Sequence, residues 1–289
     1  MENYITMFKP KLHYNDMTDI YKLRDWIDID KINWDYLSFN PNAINLIKNN
    51  IENIYWKYLS TNPNAICLLQ DSYLIYWDSL SLNPNAIHML EKNVDKIYWY
   101  NLSANPNAIH ILEKNMDKIY WHNLSLNPNA VQLLEKHMGK INWQNLSANP
   151  NAIHLLEKNV DKIDWHNFSE NSNAIHLLEK NMDKINWYNL SQNPNAIHLL
   201  EQNMDKINWH YLSANPNAIH LLEQNRDKIN WYKLSRNPNI FTYDYDKMKN
   251  NIINSGIAEE LSAKVFHPHR LLCICKKYNI QFDELMEIY

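Results

Sequence analysis

The sequence predicts an all-α fold, an α-solenoid in which about ten two-helix repeats stack as a superhelix between helical caps. Three observations predict it. Tryptophan recurs at Trp34, Trp56, Trp77, Trp99, Trp121, Trp143, Trp165, Trp187, Trp209 and Trp231, at intervals of 22 residues with one interval of 21 after Trp56. An Asn-Pro-Asn-Ala phrase follows each tryptophan, starting at Asn40, Asn62, Asn83, Asn105, Asn127, Asn149, Asn193 and Asn215, with variants at Asn171-Ser172-Asn173-Ala174 and Asn237-Pro238-Asn239-Ile240. The 289 residues include only 2 glycines but 46 asparagines. Turns must therefore be made without the residue that usually makes them.

Each element follows from the unit, which is close to N-P-N-A-I-H-L-L-E-K-N-M-D-K-I-N-W-Y-N-L-S-x. In the copy at Asn105, Asn105 caps a first helix and Pro106 takes its first position, where a missing N–H costs nothing. Ala108, Ile109 and Leu112 share one face. Asn115 is placed to end that helix as a left-handed residue, the role glycine usually fills. Asp117 is placed to cap a second segment, 118–125, which carries Ile119, Trp121 and Leu124 and is short enough to be partly 3₁₀. One unit cannot bury its own apolar face, but stacked units can. At about 10 Å per layer, ten units span on the order of 100 Å along the superhelix. The 21-residue interval contains Gln70-Asp71-Ser72-Tyr73-Leu74, where the pattern is lost. A shorter turn with an unbroken stack is expected there.

The expected domains are an N-terminal cap over 1–25, the repeat array over 26–240 and a C-terminal helical cap over 241–289. Residues 23–32 read as a degraded first unit. Helices are expected at 248–253, 257–265 and 282–288, and no sheet anywhere.

Composition excludes several classes. A net charge of −4 argues against a strongly basic nucleic-acid binder. With 2 glycines there is no Gly-rich phosphate loop. Cys67, Cys273 and Cys275 are too few and too uneven for a disulfide framework. The N-terminal residues lack the apolar run of a signal peptide, and no stretch has the length to span a bilayer. A reducing compartment and no membrane partner are expected.

The residues that carry chemistry elsewhere have structural readings here. His88, His110, His154, His176, His198 and His220 recur one layer apart, about 10 Å, whereas zinc ligands lie about 2 Å from one metal. They read as an exposed row, as do His122, His166 and His210. Tryptophan that recurs among varying neighbours reads as packing between repeats rather than as a stacking platform for bases. The spacing in His267-Pro268-His269 and Cys273-x-Cys275 is not a zinc spacing. No catalytic residue, metal or cofactor is expected, and the chain does not read as an enzyme.

The phrase LSANPNAIHLLE resembles the leucine-rich variant repeat, in which a small-residue helix end and Asn-Pro precede an apolar helix ending in leucine. That resemblance implies a solenoid alternating α- and 3₁₀-helices. The present unit is shorter and carries a tryptophan that family lacks. The whole unit is similar to tandem repeats in proteins of giant double-stranded DNA viruses, over about residues 26–240. This similarity implies a viral source, in host cytoplasm or virion, and no known activity.

The expected function is a non-catalytic protein–protein interaction scaffold with a host or viral protein partner, bound along the solenoid surface or at its divergent ends. The alternatives are a structural virion or assembly component and, with less support, a nucleic-acid-binding repeat protein. Specificity should sit where the units differ. After the recurrent serine these positions are Phe39, Thr61, Leu82, Ala104, Leu126, Ala148, Glu170, Gln192, Ala214 and Arg236. The expected partner-binding residues are Lys57, Tyr58, Tyr73, Glu170, Gln192 and Arg236.

Overall fold

In a computed structural model, residues 20–70 and 72–254, with Leu271 and Cys275, are described. The chain divides into a large unit, Leu23–Phe241, and a small unit formed by Met1–Lys22 with Thr242–Tyr289. The large unit is the expected repeat array, an all-α solenoid.

Each repeat is built from two short α-helices joined by tight turns, and the fullest copies have four pieces. In the copy at Asn149 these are a 3₁₀ turn, Pro150–Ala152, an α-helix, Ile153–Glu157, a second 3₁₀ turn, Val160–Lys162, and an α-helix, Trp165–Phe168. The second α-helix of every unit begins at the recurrent tryptophan and is called the Trp helix below. The Asn149 side-chain oxygen accepts the Asn151 N–H at 3.0 Å, and Pro150 sets the first turn.

Two local expectations are corrected. Asn115 is not left-handed: its φ is −134° and ψ 52°, and its Nδ2 donates to the Ile111 carbonyl at 2.9 Å. The asparagine side chain satisfies a helix-end carbonyl itself, so no positive φ is needed. Asp117 lies inside the 3₁₀ turn Met116–Lys118 and does not cap the Trp helix, which runs Trp121–Leu124. The capping position is the residue just before tryptophan, as where Asn186 accepts from the Asn189 N–H at 3.0 Å.

The core is made of unexpected residues. Besides leucine and alanine, the recurrent serine and the first asparagine of each Asn-Pro phrase are essentially fully buried. The tryptophans, expected in the core, are only half-buried in all ten units. A lysine of the next unit covers the ring instead, as Lys206 over Trp187 and Lys162 over Trp143, 4.6 and 4.5 Å from the ring centroids. An indole has too much volume for the narrow space between closely spaced units, so it lies along the junction rather than inside it.

Neighbouring units are fastened by short polar side chains. Asn149 Nδ2 donates to the carbonyls of Ser125 and Asn127 at 3.0 and 2.8 Å. Asn151 Nδ2 donates to the carbonyl of Pro128 at 2.9 Å, and the Asn142 N–H donates to Ser125 Oγ at 3.0 Å. The same set recurs across the 21-residue interval, where Asn83 Nδ2 donates to Ser60 and Asn62 carbonyls, so the stack there is unbroken as expected.

The same set also joins the last unit to the first. Asn40 Nδ2 donates to the carbonyls of Ser235 and Asn237 at 3.1 and 2.8 Å, and Asn42 Nδ2 to that of Pro238 at 3.0 Å. The Asn33 N–H donates to Ser235 Oγ at 2.9 Å, and Lys31 covers Trp231 at 5.2 Å. The solenoid is therefore closed into a ring, and the expected span of about 100 Å along the superhelix runs around it. That length becomes a circumference, giving a mid-wall diameter of about 30 Å. Five of the junctions also carry a His–Glu contact between neighbouring units, as His176 Nε2 and Glu157 Oε1 at 3.0 Å.

Sheet is present where none was expected. Tyr21–Leu23 and Phe241–Tyr243 pair as two short antiparallel strands. Within the large unit, the Arg24 N–H and Nε donate to the carbonyls of Ile240 and Asn239 at 2.9 and 2.7 Å. In the small unit, Tyr21 stacks on Tyr243 at 5.1 Å, and the helix Tyr245–Asn254 contains the expected 248–253 segment. The segments 257–265 and 282–288 lie outside the described residues.

Candidate binding site in the ring lumen

The Trp helix places the residues two and five positions after tryptophan on one face, because positions three apart are neighbours on a helix. The leucine and serine between them point into the wall and are buried. In five consecutive units the fifth position is Ala148, Glu170, Gln192, Ala214 and Arg236. These residues, with Lys233, line one cavity of about 290 Å³. Five successive units can converge on one cavity only from the concave side, so this face is the wall of the lumen.

Glu170 and Gln192 are joined across neighbouring units by a hydrogen bond from Gln192 Nε2 to Glu170 Oε2. Burial pushes the Glu170 carboxyl above the usual carboxylate range, against the opposing effects of the Gln192 bond and of nearby His166. Lys233 and Arg236 lie three apart on one helix, and burial, then the Arg236 charge, pushes the Lys233 ammonium down. Both cations rest on rings. Lys233 Nζ is 5.8 Å from the Tyr211 centroid, and Arg236 Cζ is 5.6 Å from that of Phe39.

Phe39 carries the site across the seam. Its ring stacks on Tyr58 at 4.1 Å, and Tyr36 contacts Phe39, Tyr58 and Tyr232 edge-on at 6.3, 5.9 and 6.1 Å. Three of the expected partner-binding residues, Glu170, Gln192 and Arg236, thus line the cavity. Tyr58 is linked to Arg236 through Phe39. The other two stand elsewhere. Lys57 pairs with Asp78 of the next unit at 3.5 Å. Tyr73 is 93% exposed in the irregular stretch and does not line the cavity. Sequence reasoning missed Lys233, although the signal was there: Lys233 stands where Asn101, Asn123, Asn145, Asn167 and Asn189 stand in other units.

The histidine row is exposed and is engaged pairwise. His110, His154, His176, His198 and His220 meet Glu91, Glu135, Glu157, Glu179 and Glu201 of the preceding units at 2.9–3.0 Å. Among the described residues no three His, Cys, Asp or Glu side chains are grouped to hold a metal ion, and no helix is long and apolar enough to cross a membrane. His267, His269 and Cys273 lie outside the described residues. No protein-family model matches the chain, and neither a curated protein nor a solved structure is found similar to it.

Proposed function

We propose that the ring is a non-catalytic scaffold that binds a protein partner through its lumen and seam. The observation that carries this reading is the gathering of variable positions. Glu170, Gln192 and Arg236 share one cavity, and Arg236 contacts the Phe39–Tyr58 pair across the seam. The fastening residues hardly vary from unit to unit, while the residues facing this sector do. Closure alters the expectation that divergent ends set partner identity, since the two ends now form one continuous patch. The non-catalytic part rests on the sequence, where no departure from the repeat brings in a nucleophile with its base. The viral repeat phrase extends the reading to a host protein or a virion component as partner.

Cross-linking mass spectrometry on the full chain in infected-cell extract tests it. Tyr58→Ala and Arg236→Ala are expected to lose the partner's cross-links, while His176→Ala, outside the cavity lining, keeps them. Equal loss in all three variants, or in none, would sink the proposal.

A further inference from the structure

The lumen cavity holds two cations whose charges are not matched by a neighbouring carboxylate. Elsewhere in the ring, three basic side chains reach a carboxylate, while others, such as Lys162 and Lys206, cover tryptophan rings outside the cavity. Lys31 reaches Asp28, Lys57 reaches Asp78 and Arg226 reaches Glu223, all within 3.6 Å. Lys233 and Arg236 lie against the Tyr211 and Phe39 rings, and neither makes an ion pair among the described residues. Both line the cavity, and Ala148 and Ala214 leave its volume of about 290 Å³ unfilled. The one carboxylate in the lining, Glu170, is engaged by Gln192.

We propose that Lys233 and Arg236, with the Gln192 amide, form a binding site for a compact anionic group, a phosphate or a carboxylate, on the lumen wall. The guanidinium offers a planar pair of donors that matches either oxyanion, and the ammonium adds a movable third donor. Both side chains line the cavity while resting on rings, so neither cation is tied to a carboxylate that would compete for its donors. Lys233 is half-buried and Arg236 exposed, so the attraction is partly screened by salt and is strongest at low ionic strength. Glu170 works against the anion when ionised, and its raised affinity for a proton lessens that opposition. A free anion and one carried by a protein partner present the same chemistry to the site. The site is a property of the ring alone, so it stands or falls apart from the protein-binding reading.

The test is titration calorimetry on the full chain at low salt with two probes, inorganic phosphate and a glutamate-rich peptide. Binding of phosphate alone assigns the site to a free anion. Binding of the peptide alone assigns it to a carboxylate carried by protein. With either probe, the double variant Lys233→Gln, Arg236→Gln is expected to weaken binding tenfold or more. Glu170→Gln should tighten it several-fold, and exposed Lys158→Gln should leave it unchanged. Wild-type NMR titration keeps the test independent of how the variants fold: shifts must centre on the Gln192 side-chain amide and on Lys233. Binding of neither probe, shifts centred elsewhere, or equal weakening by Lys158→Gln would overturn the proposal.

Discussion

Two junctions in the ring are made by the same side chains and differ in one respect. Between the units beginning at Asn127 and Asn149, the chain itself runs from one layer to the next. Between the units beginning at Asn237 and Asn40, hydrogen bonds and packing alone hold the layers. The distances agree to within 0.1 Å, 3.1 and 2.8 Å at the seam against 3.0 and 2.8 Å inside. The seam is therefore not a makeshift contact. It is an ordinary junction that lacks a peptide link, and each layer must be tilted by the right amount for it to form.

The strongest way to break the comparison is to remove one layer. Ten units closing a full turn take about 36° each. Deleting residues 171–192 keeps the stacking phase but leaves the remaining units one step short. The seam is expected to part while internal junctions hold. Small-angle scattering should show a larger radius of gyration with unchanged helical circular dichroism. A compact nine-unit ring would show instead that the tilt adapts freely.

Single asparagines give the next largest effect. Asn149→Ala removes two donated bonds and one accepted bond and strands buried backbone groups, at a cost of about 3–5 kcal/mol in chemical denaturation. Asn40→Ala loses the equivalent bonds at the seam. There the layers can separate without unfolding, so the loss in global stability should be smaller. Hydrogen exchange at the Asn33 amide, which is bonded across the seam, should rise tenfold or more. Equal denaturation losses for both variants, with Asn33 still protected, would erase the distinction between seam and interior.

The tryptophans sharpen the comparison by a smaller step. Trp187→Ala removes a half-buried ring and its contact with Lys206, and should cost about 2–3 kcal/mol. Lys206→Met should cost about 0.5–1 kcal/mol. A loss above 5 kcal/mol for the tryptophan would mean that it belongs to the core after all.

The smallest effect tests the lumen against the fastened wall. Glu170 holds its proton more tightly in the folded chain than its ordinary value of 4.5. The folded state is therefore favoured at low pH, and the ionised carboxyl subtracts stability as pH rises past that ordinary value. Glu170→Gln should be more stable than wild type at pH 7, with the gain disappearing toward pH 3. A gain independent of pH would point to packing rather than charge. The fastening asparagines and serines carry no titratable group and should show no such dependence.

How far these features were legible in the sequence follows from where their physics resides. The repeat itself is local: Asn-Pro caps and tryptophan spacing mark each layer, and the four-piece unit needs no distant contact. The lumen was partly legible, since Glu170, Gln192 and Arg236 stand out against their equivalents. Closure was not legible. It sums ten small tilts between neighbouring layers. No residue in the first unit marks it as the neighbour of the last. Burial was misleading too. Tryptophan is conspicuous and lies half-exposed, while Ser147 and Asn149, which read as turn residues, are fully buried.

The fasteners are directional. Asn33, Asn40 and Asn42 supply donors on one edge of the array, and Ser235, Asn237 and Pro238 supply acceptors on the other. An array cut open at the seam would be a link with a plug at one end and a socket at the other, and nothing in that chemistry distinguishes its own socket from that of another copy. Such head-to-tail contacts run on into filaments unless the rotation closes. Closure consumes plug and socket within one chain. In this protein the curvature of the ring is what makes it a finite particle rather than the monomer of a fibre.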